Sequence, residues 1–143
     1  MEEVKGVVIV LYTIKNGHPR IAVLKRTLNW EGWELVKGRK DDDEDPKETA
    51  RREIKEETGI DPASITILDD THEWTYERDG TKYHAIYDTC IARAPDGARI
   101  QVQHNNDEEH EKGFFLNPRD AKDILTHENQ QSLIESVTDR LEE

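Results

Sequence analysis

The chain has 143 residues, 34% of them hydrophobic and 36% charged, and its formal net charge is −12 at pH 7. That length predicts a single domain, residues 1–143, with a core of its own. The acidic balance argues against a protein that grips a nucleic acid duplex or lies on an anionic membrane, and the single cysteine excludes an internal disulfide.

The sequence opens with two predicted strands. VKGVVIVLYTI is apolar on both faces, which is typical of a buried strand, and RIAVLKR follows it after the turn signal KNGHP. The apolar run is too short to span a bilayer and the first residues are acidic, so neither a membrane span nor a signal peptide is expected. These features predict a cytoplasmic protein with no membrane partner.

A loop, TLNWEGWELVKG, is expected next, followed by a helix. Asp45 has the character of an N-cap, Pro46 occupies the first helical position and Glu48 completes a capping box. Gly59 is suited to end the helix in the left-handed conformation. The pattern therefore predicts a helix of about three turns between the two caps.

The second half of the sequence predicts more strands and two helices. The expected strands are SITILDD, then HEWTYERDGTKYHAIYDTCIARA with a hairpin turn at Asp79-Gly80, and finally GFFL. Asn117 is expected to cap the short helix RDAKDIL, and apolar residues recur at helical spacing over 133–141. Because strands and helices alternate without strict βαβ regularity, the expected fold class is α/β, with a mixed sheet sandwiched between helices.

The helix after Asp45 carries three carboxylates on one face. Glu53, Glu56 and Glu57 fall within roughly one quarter to one third of the helix circumference. Ile54 borders this face, so the carboxylates are expected to lie at a cleft. Such close negative charges repel one another and call for a compensating positive charge.

Two sources of positive charge are open on spacing alone. Arg52 lies four residues before Glu56 and could form an ion pair with it in a solvated helix face. Alternatively, Mg²⁺ or Mn²⁺ could bind, because hard divalent cations prefer carboxylate oxygens and often bind together with substrate phosphates.

The full stretch favours the metal. Gly38 is followed after five residues by Glu44, and after seven more by the run REIKEETGI. This arrangement, residues 38–60, resembles the Nudix box, the signature of the Nudix hydrolase family, with every defining position filled. An EF-hand is excluded because Pro46 and Arg52 stand where that loop needs glycine and a bidentate glutamate.

The resemblance implies the Nudix fold and hydrolysis of a nucleoside diphosphate linked to another group, with Mg²⁺ or Mn²⁺ as cofactor. It also implies roles for individual residues. The implied metal ligands are Glu53, Glu56, Glu57 and the Lys37 carbonyl; the implied catalytic residues are Glu53, as ligand or base, Glu57 and the orienting Arg52; and the implied structural residues are Gly38, Glu44 and Gly59.

A further carboxylate is expected from the later segment NNDEEHEKGFF, since Nudix enzymes often supply one there. Glu109 is the preferred candidate because it precedes the aromatic Phe115 by six residues. Glu108 and Glu111 are its rivals.

The expected substrate is a small nucleotide. Lys82 and Tyr87 resemble the phosphate-binding lysine and base-stacking tyrosine of the diadenosine tetraphosphate hydrolase branch, so a dinucleoside polyphosphate is the leading candidate. Tyr76 is a candidate for stacking a purine, and Arg26 and Arg39 for contacting phosphates. The alternatives are ADP-ribose, a nucleoside triphosphate or an RNA 5′ end as substrate, or a nucleotide-sensing module without turnover.

Overall fold

The computed structural model describes residues 1–102 and 109–141. Within these ranges no helix is long and apolar enough to cross a membrane. The strands are β1 (Glu2–Lys15), β2 (His18–Arg26), β3 (Gly32–Glu34), β4 (Val36–Arg39), β5 (Ser64–Arg78), β6 (Thr81–Arg93) and β7 (His110–Leu116). The helices are α1 (Pro46–Thr58), α2 (Pro118–Ile124) and α3 (Glu128–Val137), with a 3-10 turn at Thr138–Arg140.

Strand β1 lies at the centre of a mixed sheet. The described strands follow the order β3-β2-β1-β6-β5, with β4 also paired to β1 and β7 also paired to β2. The β1–β6 pair is parallel, whereas β1 pairs antiparallel with β2 and β4. The mixed sheet predicted from the sequence is therefore confirmed.

Helices cover both faces of the sheet because side chains of β1 alternate between two cores. Ile9 packs in one core with Ile54 of α1, and Val10 packs in the other core with Ile134 of α3. All four side chains are at most 1% exposed. The acidic helix is thus held against the middle of the sheet by Ile54, and Glu53 and Glu57, which flank this apolar side, are buried as well.

Both predicted caps of α1 are present. The Asp45 carboxylate accepts from the Glu48 amide at 2.8 Å, and the Glu48 carboxylate accepts from the Asp45 amide at 3.1 Å. Gly59 has φ 75°, and its N–H donates to the Lys55 carbonyl at 2.9 Å. Residues with a side chain rarely adopt that dihedral angle, which explains the glycine.

The stretch expected to be one loop contains two short strands, β3 and β4. The reason is the length of β1. Strand β2 pairs only with the last residues of β1, from Tyr12 to Lys15, and leaves that edge of β1 unpaired over its earlier residues. Strand β4 fills that edge with pairs from Gly6↔Arg39 to Ile9↔Val36. This pairing fixes Lys37 and Gly38 beside α1.

Three other boundaries differ from the expectation. SITILDD continues into the following segment as the single strand β5, with a register shift between Ile67 and Thr71. Strand β7 begins at His110 rather than at Gly113. Helix α3 ends at Val137, and a 3-10 turn then brings Leu141 into the core with no exposed surface.

Asp45→Ala is expected to lower the free energy of unfolding by about 1 kcal/mol, because the capping box loses an acceptor for a helix-terminal amide. Urea denaturation measures this change. Asp43→Ala, in the exposed loop before the helix, is the control and should change stability by less than about 0.5 kcal/mol. Equal effects of the two substitutions would contradict the capping role.

Candidate active site

A cavity of about 850 Å³ lies beside α1, bounded by β4, the β5–β6 hairpin and the start of α3. It combines carboxylates, cations and aromatic rings. Among the residues that line it are Glu53, Glu109, Arg26, Lys37, Gly38, Arg39, Arg78, Trp30, Trp74, Tyr76, Tyr87, His72 and His127.

Glu53 and Glu57 are buried next to this cavity, with exposures of 9% and 6%. The Glu53 carboxylate packs against the backbone of Gly38, where an added Cβ would overlap it. Both carboxylate oxygens of Glu57 are buried and have no hydrogen-bond partner in the described part of the chain. Gly38 is therefore required by close packing, and Glu57 presents oxygens that are free to bind a cation.

Burial disfavours the ionisation of both carboxylates. Burial raises the pKa of Glu53, and the adjacent Glu57 carboxyl and the charge and hydrogen bond of Arg52 offset that effect only in part. Burial also raises the pKa of Glu57 well above its usual range, and Glu53, Glu34 and Glu109 raise it further. A divalent cation beside them would offset both effects, since it favours the charged forms.

Glu56 lies apart from this pair. Its side chain is 49% exposed and its Oε2 lies 3.3 Å from Nη1 of Arg52. As the side chains stand, residues 1–102 and 109–141 contain no group of three or more Asp, Glu, His or Cys side chains spaced to hold a metal ion. The free oxygens of Glu57 nevertheless fit a hard divalent cation, which takes carboxylate ligands.

Arg52 connects the acidic helix to the loop before it. Its Nε and Nη2 donate to the two oxygens of Glu44 at 2.7 and 2.9 Å, and its Nη1 donates to Glu53 at 2.7 Å. Nη2 also donates to the Arg39 carbonyl at 2.7 Å. The hydrogen bond from Arg52 lowers the pKa of Glu44 to about 2. Glu44 thus braces Arg52, and Arg52 fixes one oxygen of Glu53.

A second buried network contains residues to which the sequence interpretation gave no role, Glu34 and His110. Glu34 has no exposed surface, and its Oε2 lies 2.6 Å from Nε2 of His110 and 3.1 Å from Nη1 of Arg26. Its Oε1 lies 3.8 Å from Nζ of Lys37. Nδ1 of His110 lies 3.8 Å from Oε1 of Glu57. A charged residue within the apolar run WELV is the one local signal that could have pointed to Glu34.

Glu34 is a charged acceptor in this network. Burial raises its pKa, but the hydrogen bond from His110 and the charges of Lys37 and Arg26 outweigh that effect and leave the pKa below the usual value. Because a carboxylate can only accept, Nε2 of His110 carries the proton of the short contact.

The structure places Glu109 in the cavity wall. Its Oε2 lies 3.8 Å from Nη1 of Arg26, and its backbone carbonyl accepts from the Thr27 amide at 2.9 Å. Its rival Glu111 is 55% exposed and lies 3.4 Å from Nζ of Lys25. The other rival, residue 108, lies outside the described residues.

Two groups of aromatic rings line the cavity. Tyr76 accepts a hydrogen bond from Arg39 at 2.6 Å and stacks on Tyr83 with ring centroids 5.0 Å apart. Trp74 packs on Tyr87 at 4.7 Å. The second group is formed by Trp30 and His127, whose ring centroids are 4.8 Å apart.

Most, but not all, of the residues expected to bind substrate line the cavity. Arg26, Arg39, Tyr76 and Tyr87 line it, although Tyr87 is only 7% exposed and burial raises its pKa to about 12. Lys82 is exposed, pairs in register with a residue of β5 near the hairpin turn, and is not among the lining residues. The structure thus brings four of the five together.

Comparison with known proteins identifies the family. The protein-family model described as the NUDIX domain matches residues 4–137 of the chain. The asymmetrical bis(5'-nucleosyl)-tetraphosphatase of Caenorhabditis elegans is 31% identical over 104 residues, which are 72% of this chain and 75% of that protein. The chain therefore belongs to the Nudix hydrolase family. It is an enzyme of the pyrophosphohydrolase class, as the sequence predicted.

Solved structures show the same fold. A binary complex of the C. elegans Ap4A hydrolase superposes with a TM-score of 0.74 at 27% identity, covering 96% of this chain and 97% of that one. The Escherichia coli dihydroneopterin triphosphate pyrophosphohydrolase superposes with a TM-score of 0.78 at 19% identity, covering 95% of each chain. The second similarity concerns the fold alone.

In metal-free protein, the free energy of unfolding is expected to fall as pH rises above the ordinary glutamate pKa, through the effect of Glu57. The raised pKa of Glu57 means that the native state holds a proton that the unfolded state releases above its ordinary pKa near 4.5. Glu57→Gln cannot ionise at this position and therefore lacks this loss of stability. The variant should be more stable than wild type by about 1–3 kcal/mol near pH 8.

Urea denaturation at several pH values, in the presence of a chelator, measures this difference. Glu111→Gln is the control, because its exposed carboxylate lies outside the buried pair, and its curve should run parallel to that of the wild type. A Glu57→Gln curve that also runs parallel to the wild type would contradict the prediction.

Proposed function

We propose that this enzyme hydrolyses dinucleoside polyphosphates, with diadenosine tetraphosphate as the leading substrate, and that it requires Mg²⁺ or Mn²⁺. The observation that carries the proposal is the composition of one cavity, where the buried carboxylate of Glu53, several cations and two groups of aromatic rings meet. The C. elegans relative, named for cleavage of bis(5'-nucleosyl)-tetraphosphates, supports the choice of substrate.

The carboxylates of α1 are proposed to hold the cation, with Glu57 and Glu56 as ligands and Glu53 as ligand or base. When bound, a divalent ion supplies positive charge at the phosphoryl oxygens and makes water more acidic. Burial raises the pKa of Glu53, which suits it to accept a proton from an attacking water. Glu109, another residue of the cavity wall, and the Lys37 carbonyl are proposed to complete the ligands.

The cations and rings of the cavity are proposed to hold the substrate. Arg26 and Arg39 lie where they can pair with anionic phosphates, which guanidinium groups recognise well. Tyr76, held by Arg39, provides a ring for a purine, and Tyr87 supports that wall through Trp74. Lys82 remains a predicted phosphate contact, which would require the substrate to extend toward the hairpin turn.

The test is the set of products formed from a nucleotide panel with and without Mg²⁺. The panel contains diadenosine tetraphosphate, ADP-ribose, nucleoside triphosphates and a short RNA with a 5′-triphosphate. Asymmetric cleavage of the tetraphosphate gives a triphosphate and a monophosphate, whereas symmetric cleavage gives two diphosphates, so chromatography separates the two outcomes. A clear preference for another member of the panel would overturn the proposed substrate.

Glu57→Gln is expected to lower kcat by about 100-fold or more, because a weakened cation site forfeits several kcal/mol of charge stabilisation at about 1.4 kcal/mol per tenfold. Glu111→Gln keeps a folded chain with the same change of charge outside the cavity and should retain wild-type kcat. Turnover by Glu57→Gln at the rate of this control would remove Glu57 from the proposed ligands.

Tyr76→Ala is expected to raise KM about 10-fold for a purine dinucleotide, because stacking of a base on an aromatic ring contributes about 1–3 kcal/mol. Tyr76→Phe is the matched control, since it keeps the ring and loses only the hydroxyl that bonds Arg39. Steady-state kinetics separate KM from kcat. An unchanged KM in Tyr76→Ala would exclude this ring from binding the base.

A further inference from the structure

The buried contact between Glu34 and His110 joins parts of the chain that are distant in sequence. The two residues are 76 positions apart, and their side chains meet at 2.6 Å. Neither side chain is more than 4% exposed. A buried charge is retained at a site only when its partners are well placed, so this contact fixes the relative positions of β3 and β7.

His110 is adjacent to Glu57 of α1 in space and to Glu109, a residue of the cavity wall, in sequence. Its ring faces Glu57 of α1, with Nδ1 3.8 Å from Oε1. That separation is too long for a hydrogen bond, so the ring acts as a wall beside the carboxylate rather than as a partner that occupies its oxygens. Both oxygens of Glu57 accordingly remain free of hydrogen bonds within the described ranges.

The backbone of His110 also determines where Glu109 lies, because the two residues are consecutive. Arg26 strengthens this link, since its Nη1 lies 3.1 Å from Glu34 and 3.8 Å from Glu109. The Thr27 amide, donating to the Glu109 carbonyl at 2.9 Å, holds the same segment. The contact of the His110 ring with Glu34 thus fixes where β7 begins and, with it, the position of Glu109 in the cavity wall.

From these contacts we infer that Glu34 and His110 are positioning residues, which hold the carboxylates of Glu57 and Glu109 at the separation that a divalent cation needs. This inference rests on the proposed function, in which those two carboxylates are ligands. Glu34 and His110 bind neither the cation nor the nucleotide. They act through the direction in which Glu57 points and through the place where β7 begins.

The test compares two Glu–His pairs of this chain. His110→Ala removes the buried ring, and His84→Ala is the matched control, because His84 lies 2.9 Å from Glu73 in an exposed pair on the hairpin. Binding of Mn²⁺ without nucleotide, followed by electron paramagnetic resonance of the free ion, is the first readout. Loss of partners that orient ligands weakens metal affinity by about 10–100-fold, so His110→Ala should bind Mn²⁺ at least about 10-fold more weakly than His84→Ala.

Kinetics provide the second readout. The Mg²⁺ concentration for half-maximal activity should rise by a similar factor, about 10-fold or more, in His110→Ala. The KM for the dinucleotide at saturating Mg²⁺ should stay at the wild-type value. A role limited to stability would lower the melting temperature and leave the Mn²⁺ affinity of the folded protein unchanged.

Conservative variants keep the test decisive if His110→Ala does not fold. His110→Gln retains an amide donor where Nε2 meets Glu34 and should recover part of the lost affinity. Glu34→Gln retains an acceptor for His110 but not the charge that holds Arg26, and should weaken Mn²⁺ binding in the same direction. Because the pair acts as a unit, the combined variant should lose no more affinity than the weaker-binding single variant.

The outcomes separate this inference from the proposed function. Wild-type Mn²⁺ affinity in folded His110→Ala, His110→Gln and Glu34→Gln would overturn the inference alone. Intact Mn²⁺ binding without hydrolysis of any dinucleotide would overturn the proposed function alone. Failure of the wild type to bind Mn²⁺ would overturn both.

Discussion

The proximity of two carboxylates in a place that water scarcely reaches is the constraint around which the site is built. Glu53 and Glu57 lie four residues apart on α1 and are both buried. Burial disfavours the charged forms of both, and Glu53 further disfavours that of Glu57, so an isolated helix would not hold them this way. The fold holds them there because Ile54 anchors α1 to the sheet, while Gly38 of β4 lies against Glu53 and His110 of β7 lies beside Glu57.

Two polar networks stabilise this arrangement from opposite sides. Arg52 donates hydrogen bonds to Glu44, Glu53 and the Arg39 carbonyl. These bonds fix the loop before α1 as well as one of the buried carboxylates. On the other side, Glu34 gathers three positively charged or donating side chains around a fully buried carboxylate. Glu57 has no hydrogen-bond partner for either carboxylate oxygen among the described residues, so the site contains both fixed and free carboxylates.

The parts of this site that are local in sequence could be predicted, and the parts made by strand pairing could not. The capping residues of α1, Gly59 and the spacing of Glu53 and Glu57 are all set within one short stretch, so their pattern predicts both the helix and the acidic face. Strand β4 exists only because β2 leaves part of the β1 edge unpaired, which no local pattern reveals. The role of Glu34 depends on His110, a residue 76 positions away, and becomes visible only when β2 brings β3 and β7 together.

The parallel pairing of β1 with β6 has a consequence for synthesis of the chain. Strand β1 is apolar on both faces, and its parallel partner runs from Glu2↔Tyr83 to Tyr12↔Arg93. A ribosome adding about 5–20 residues per second therefore exposes β1 for several seconds before β6 has been made. During that interval the nascent chain presents an unpaired apolar edge, which is a target for chaperones and a site of misassociation. Early arrest of translation should accordingly yield an insoluble fragment rather than a partly working enzyme.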